Sequence, residues 1–199
     1  MKKSIYIYGS SGHGLVVADI ASACGYNDII FVDDGENDFL PFEDIKLKNN
    51  IPIALAIGAN DTRKLLFEKV LDFNFNLVTL IHPSSIISPS VSIGLATVVM
   101  PNVVINAGSK IGKAVILNSS CLIEHENTIR DFAHISPKVA LAGNVYIGES
   151  SHIGIGASVI QGISINENCI IGAGSVVVKN ISNNKLAYGN PCKIIKELN

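Results

Sequence analysis

Aliphatic residues recur every six positions through the second half of this chain. The series starts at Ile87 and ends at Val177, and all sixteen consecutive positions on it are Ile, Val or Leu. A strict six-residue period is typical of parallel β-helices, in which each unit forms one short flat face and three units close a triangular coil of about 18 residues. The sequence therefore predicts a prism of about five coils with an aliphatic column inside.

The first 82 residues follow a different pattern, in which short apolar segments alternate with helical ones. We expect strands over residues 4–8, 29–32, 52–57 and 76–81, and helices over residues 14–24 and 61–72. Such alternation indicates a parallel sheet with crossover helices, here about half of a doubly wound, Rossmann-like α/β domain. We therefore divide the chain into an α/β domain over residues 1–82 and a β-helix domain with a C-terminal tail over residues 83–199.

The composition narrows the function classes. The chain is 48% hydrophobic and 16% charged, which excludes a disordered chain and suggests that other copies of the chain cover much of its surface. A net charge of −2 gives no reason to expect nucleic acid or an anionic membrane as a partner. The four cysteines lie far apart without a Cys-x-x-Cys pair, as expected of reduced thiols in a cytoplasmic protein.

A glycine-rich turn, residues 9–14, follows the first expected strand and opens the first helix. This arrangement directs backbone N–H groups and the helix dipole at an anion, although the spacing differs from the dinucleotide fingerprint and a tight turn without a ligand would look the same. Asp33 and Asp34 end the second strand, where carboxylates can accept hydrogen bonds from a ribose or a base. Gly58 follows the third strand, so this edge is a candidate nucleotide site.

A histidine lies between two glutamates in Glu124-His125-Glu126. Imidazole titrates near neutral pH and suits the role of a general base, and a carboxylate on its other nitrogen would fix the tautomer. From the residues alone, an exposed histidine at a coil corner is the alternative interpretation. His134 and His152 lie one coil apart and should stack on one flank. We expect no metal, because a zinc site would need these two residues and a neighbouring subunit.

The hexapeptide repeats and the ending Gly189-Asn190-Pro191-Cys192-Lys193 resemble those of hexapeptide-repeat acyltransferases, whose β-helix is left-handed. The glycine-rich turn and Val-Asp-Asp resemble the sialate O-acetyltransferase-like subgroup. Within it, the chain is most similar to the N-acetyltransferases that act on UDP-4-amino-4,6-dideoxy-N-acetylglucosamine in bacillosamine synthesis. The resemblance implies a homotrimer with active sites at subunit interfaces, which acetylates the 4-amino group of a UDP-linked amino-dideoxy sugar with acetyl-CoA as cosubstrate.

The resemblance also implies roles for individual residues. It makes His125 the general base and Glu126 its partner, with Glu124 left as the alternative partner. Contacts with the nucleotide sugar fall to Ser11, Gly12, His13, Asp33, Asp34 and Gly58. Contacts with acetyl-CoA fall to Asn118, His134, Gly143, Ile155 and Ala173.

Several alternatives stay open. Sialic acid O-acetylation and another nucleotide-sugar N-acetylation are the alternatives within this enzyme class, and a non-catalytic scaffold that binds nucleotide sugars is the alternative outside it. Asn118 is equally explained as a turn residue that tolerates left-handed backbone. Asn60 and Arg63 lie near the candidate nucleotide edge, but an arginine here is equally explained as an exposed residue of the helix.

Overall fold

The structure, a computed structural model, describes residues 3–198 and consists of a small α/β domain and a long triangular prism. The α/β elements are β1 (Ser4–Tyr8), α1 (Gly12–Ala23), β2 (Asp28–Val32), α2 (Phe42–Ile45), β3 (Ile53–Leu55) and α3 (Asn60–Asp72). The sheet has the order β2–β1–β3, and both pairings are parallel. The segments that follow the three strands therefore meet at one edge, as expected for parallel strands.

Within the described residues, seventeen two-residue strands build the prism. In chain order, β4 to β20 are Leu80–Ile81, Ile86–Ile87, Ser92–Ile93, Val98–Val99, Val104–Ile105, Lys110–Ile111, Ile116–Leu117, Leu122–Ile123, Thr128–Ile129, His134–Ile135, Ala140–Leu141, Tyr146–Ile147, His152–Ile153, Ser158–Val159, Ser164–Ile165, Ile170–Ile171 and Val176–Val177. The tail adds β21 (Lys185–Gly189), parallel to β19, and β22 (Cys192–Glu197), antiparallel to β21.

Successive prism strands lie on three successive faces, and every third strand pairs in parallel. The first face begins with β4, the second with β5 and the third with β6. Paired residues such as Ile116 and His134 are one coil apart in the chain, which confirms the triangular coil. The prism has about six turns, more than the five counted from the repeat, because strand pairing already starts at Leu80.

The corners between faces share one backbone device. At fourteen consecutive corners, from Ala96 to Gly174, the third residue after the inward aliphatic has a φ between 49° and 74°. Most of these residues carry a side chain, so the turn itself imposes the left-handed conformation. At the corner after Leu117 this residue is Ser120 and not Asn118, which removes the turn-residue explanation of Asn118.

The α/β domain lies against the first face of the prism. Ile5 and Ile7 of β1 and Val17 of α1 belong to one continuous hydrophobic core with prism residues such as Val98 and Ile116. Burial of this apolar surface stabilises the docked arrangement. No helix within residues 3–198 is long and apolar enough to cross a membrane.

Two elements of the α/β domain differ from expectation. The expected strand over residues 76–81 is divided, because Leu77 forms a single parallel bridge with Ile53 whereas Leu80–Ile81 pairs with Val98–Val99 in the prism. One apolar run thus serves two sheets. The polar stretch after β2 contains the short helix α2, in which Phe42 and Ile45 are buried, where we expected no element.

Candidate functional site

The segments that follow β1 and β2 at the carboxyl edge of the small sheet are joined by hydrogen bonds. The backbone N–H and hydroxyl of Ser10 both donate to Oδ2 of Asp33, at 2.8 and 2.6 Å, and the N–H of Gly35 donates to Oδ1 at 2.9 Å. The hydrogen bonds from Ser10 and Gly35 hold the pKa of Asp33 below its usual range. Asp33 thereby fixes the glycine-rich turn, while the exposed Ser11 and Gly12 begin helix α1 beside it.

The carboxylate of Asp34 is bonded within the domain. Its Oδ2 accepts hydrogen bonds from the Tyr8 hydroxyl at 2.5 Å and from Lys69 Nζ at 2.8 Å, and its Oδ1 accepts the backbone N–H of Phe42 at 2.8 Å. The side chain is still 42% exposed. Asp34 therefore lies at the candidate nucleotide edge, and its hydrogen bonds to Tyr8, Phe42 and Lys69 also stabilise that edge.

A cleft of about 610 Å³ lies between the N-terminal end of α3 and the first face of the prism. Gly58, Asn60 and Asp61 line its α/β side, and His152 and Ile170 line its prism side. The amide of Asn60 donates to the carbonyl oxygen of Ser150 at 2.8 Å and so links the two walls. Gly58 follows β3, so this end of the cleft lies at the carboxyl edge of the sheet, where the glycine-rich turn also lies.

The histidines expected to stack do so on the first face. The rings of His134 and His152 are parallel with centroids 4.5 Å apart, and Nε2 of His134 is 3.3 Å from the Asn118 amide nitrogen. Burial under the α/β domain, together with His152 and Arg63, lowers the pKa of His134 to about 3. Burial and Arg63 also lower the pKa of His13 to about 4, so both imidazoles are neutral near pH 7.

Arg63, which sequence reasoning left open, is a buried junction between the two domains. Only 1% of the residue is exposed, and burial lowers the pKa of its guanidinium to about 10. Within 3.1 Å, its nitrogens donate to the carbonyls of Ile57, Gly58, Ala114 and Phe132 and to Oδ1 of Asn60. The spacing of Arg63 from the buried Phe67 and Val70, four and seven residues on, is the sequence signal that places it on the inner face of α3.

His125 and Glu126 lie on the corner that joins the second and third faces. Nδ1 of His125 is 3.0 Å from Oε2 of Glu126, and both side chains are more than half exposed. Gly143 lies beside the ring in the next coil, and a Cβ added to it would be 2.5 Å from both Cε1 and Nε2 of His125. The imidazole therefore occupies space that any side chain at position 143 would fill.

The remaining candidates lie on another corner. Asn118, Ile155 and Ala173 follow strands of the first face and line the corner towards the second face. The second face connects this corner with that of His125 and Gly143. It carries a shallow, mainly apolar depression whose lining includes Leu122, Ala140 and Ile160.

One chain does not bring all the candidates together. The α/β domain and its cleft cover the first face, whereas the corner of His125 is the vertex opposite that face. The structure thus forms two groups. His13, His134 and His152 lie between the α/β domain and the first face, where His152 lines the cleft, and His125 lies on the exposed corner. Within residues 3–198, no group of three or more His, Cys, Asp or Glu side chains is arranged to hold a metal ion.

Comparisons with known proteins agree with this architecture. Residues 4–70 match the family model described as the PglD N-terminal domain. The acetyltransferase domain of PglB from Neisseria gonorrhoeae is 36% identical and superimposes with a TM-score of 0.90, over 98% of this chain and 100% of that one. PerB from Caulobacter crescentus, solved with CoA and GDP-perosamine, is 37% identical with a TM-score of 0.91, over 97% of each chain.

A curated protein is also similar to part of the chain. The UDP-N-acetylbacillosamine N-acetyltransferase of Bacillus subtilis is 37% identical in an alignment of 107 residues that covers 46% of this chain and 49% of that protein. The alignment therefore spans about half the length of this relative.

Proposed function

Because this chain belongs to the hexapeptide-repeat family of sugar N-acetyltransferases, we propose that it transfers the acetyl group of acetyl-CoA to the amino group of a nucleotide-linked amino sugar. The PglB domain has been solved with acetyl coenzyme A, and PerB with CoA and GDP-perosamine. Within this class we propose the 4-amino group of a UDP-linked amino-dideoxy sugar, which the similarity to the Bacillus subtilis enzyme supports. A GDP-linked sugar is the alternative that PerB suggests.

The hydrogen bond between His125 and Glu126 is the observation that carries the proposal. With Nδ1–H donating to Glu126, the neutral ring keeps a free lone pair on Nε2. In our mechanism the sugar amine attacks the thioester carbonyl, a C–N bond forms and Nε2 takes the amine proton. The C–S bond then breaks, and Nε2 passes the proton taken from the amine to the departing CoA thiolate, which regenerates the neutral imidazole. Glu126, and not Glu124, holds the ring in the required tautomer.

We propose that two copies of the chain form each active site. The vertex position of His125, opposite the cleft of its own chain, supports this arrangement. A homotrimer with the prisms side by side would bring the exposed apolar residues of the second face, such as the 68% exposed Ile86, against a neighbour. It would also bring His125 of one copy towards the cleft of the next.

We assign the two substrates to different parts of this assembly. Residues 1–82 hold the nucleotide sugar through Ser11, Gly12, His13, Asp33, Asp34 and Gly58. Residues 83–199 hold acetyl-CoA through Gly143, through Asn118, Ile155 and Ala173 at the corner between the first and second faces, and through His134, which lies beside Asn118 on the first face. The cytoplasmic location expected from the sequence stays a prediction.

A CoA-release assay tests the proposed reaction. The protein is incubated with acetyl-CoA and UDP- or GDP-linked 4-amino sugars, and free CoA is followed for the wild type, His125→Ala and Glu126→Gln. We expect turnover that falls at least 100-fold in His125→Ala. The control is His82→Ala, which removes an imidazole bonded to Ser84 outside the candidate site. Turnover that is unchanged in His125→Ala would refute the role of His125 as the base. Binding of the nucleotide sugar without any turnover would favour a non-catalytic scaffold.

Light scattering tests the assembly separately. We expect the mass of three chains at micromolar concentration, whereas a monomer that is fully active would contradict a shared active site.

A further inference from the structure

A buried asparagine lies directly behind the corner that carries His125. Asn127 occupies an inward position of the prism and is 0% exposed. Its Nδ2 donates to the carbonyl oxygens of Glu124 at 2.5 Å and Ala142 at 3.1 Å, and its Oδ1 accepts the N–H of Val145 at 2.8 Å. Every polar hydrogen and the carbonyl oxygen of this side chain therefore has a partner, as a buried amide requires.

Other corners of the prism use a simpler version of this network. Thr97 donates its hydroxyl to the carbonyl of Gly112 in the next coil at 2.8 Å and accepts the N–H of Val115 at 3.1 Å. Ser109 and Ser151 make the same pair of bonds at their own corners. Asn127 makes both equivalent bonds, to Ala142 and Val145, and adds a third to Glu124 in its own coil.

The added bond acts on the peptide unit that enters His125. The carbonyl of Glu124 and the N–H of His125 belong to one planar peptide group. This carbonyl oxygen also accepts the Ser109 hydroxyl at 2.8 Å, so two buried donors fix the orientation of the plane from which the Cα of His125 leaves. The bond to the carbonyl of Ala142 fixes the same corner in the next coil, where Gly143 lies against the imidazole.

We infer that Asn127 is a positioning residue, which sets the direction of the His125 imidazole through the Glu124 carbonyl. This inference rests on the proposed role of His125 as the base. Asn127 contacts neither substrate in this arrangement, so its effect should fall on the chemical step. A displacement of the base by about 1 Å is enough to slow such a step about 100-fold.

Asn127→Ser separates positioning from folding. A serine here can repeat the bonds that Ser109 makes to the next coil, and it loses only the bond to Glu124. We expect kcat to fall about 10- to 100-fold. The KM for acetyl-CoA, the KM for the nucleotide sugar and the melting temperature should change little. Ser109→Ala, which removes the other donor to Glu124, should lower kcat in the same direction.

Thr97→Val is the matched control. It removes two buried side-chain hydrogen bonds of the same kind at a corner without candidate residues. We expect a lower melting temperature and an unchanged kcat. If Asn127→Ser keeps the wild-type kcat, or if Thr97→Val lowers kcat as much, the positioning role is refuted.

Histidine-ring NMR gives a readout that does not depend on turnover. The His125 signals are identified from their loss in His125→Ala. We expect them to shift or broaden in Asn127→Ser and to stay in place in Thr97→Val. Unchanged His125 signals in Asn127→Ser would overturn the inference whether or not the wild type acetylates a sugar, whereas an inactive wild type with shifted signals would refute only the proposed function.

Discussion

Arg63 should be the strongest single contact between the α/β domain and the prism. Its guanidinium donates hydrogen bonds to four backbone carbonyls, which belong to Ile57, Gly58, Ala114 and Phe132. The carbonyls of Ala114 and Phe132 are bonded in the interior, whereas those of Ile57 and Gly58 are only partly buried. A buried carbonyl left without a donor costs about 1–3 kcal/mol, so Arg63→Met would lose about 2–6 kcal/mol from the two interior carbonyls. The cation no longer has to be desolvated, which returns part of this energy. We therefore expect the free energy of unfolding to fall by about 2–4 kcal/mol.

Urea unfolding followed by circular dichroism, at one fixed protein concentration, measures this loss. Lys64→Met is the matched control on the same helix. Lys64 forms a partly exposed ion pair with Glu149 and its Nζ lies 5.5 Å from the centroid of the Phe132 ring, and each of these exposed contacts contributes about 1 kcal/mol or less. Hydrogen exchange should show faster exchange in Arg63→Met at residues 56–64, 112–116 and 130–134. A loss no greater than in Lys64→Met would refute the junction.

Two further predictions follow from the histidines. His13 and His134 have folded-state pKa values of about 4 and about 3, so the unfolded chain binds their protons first as the pH falls below about 6.5. Stability should therefore drop from pH 6.5 towards pH 4, by at most about 2 kcal/mol per histidine at pH 5; a His13→Gln, His134→Gln double variant that keeps the wild-type pH dependence would contradict this. Gly143→Ala places a Cβ on the His125 ring, so activity should fall at least 10-fold with a small change in melting temperature, and full activity would show that the ring does not need this space.

The repeat made most of the prism predictable. A side chain's place on a face depends only on its position modulo the coil, so the stacking of His134 on His152 follows from their separation alone. The edge position of Asp33 and Gly58 follows in the same way from parallel strands. The periodicity of the sequence is therefore sufficient to predict which face or edge a side chain occupies in these regular elements.

The contacts between the two domains were not predictable in this way. Whether Arg63 decorates a helix or enters the interior depends on what packs against α3, and the acceptors Ala114 and Phe132 lie far along the chain. The role of Asn127 does not follow from the repeat, because the six-residue pattern specifies aliphatic side chains and gives no partner for the amide two residues before Ile129. Residues 76–81 form one apolar run, and its sequence does not show that Leu77 pairs with the small sheet whereas Leu80 and Ile81 pair with the prism.

The strict register of the prism restricts how the length of such a chain can change. Removing one six-residue unit before His125 would keep the inward column intact and preserve the fold. It would also move every later residue to the preceding face, so that the base would leave its vertex and the cleft residues His152 and Ile170 would leave the first face. Only whole coils, counted by the separation of paired residues such as Ile116 and His134, can be added or lost without this rotation. Natural length variants that keep the same chemistry should therefore differ by complete turns.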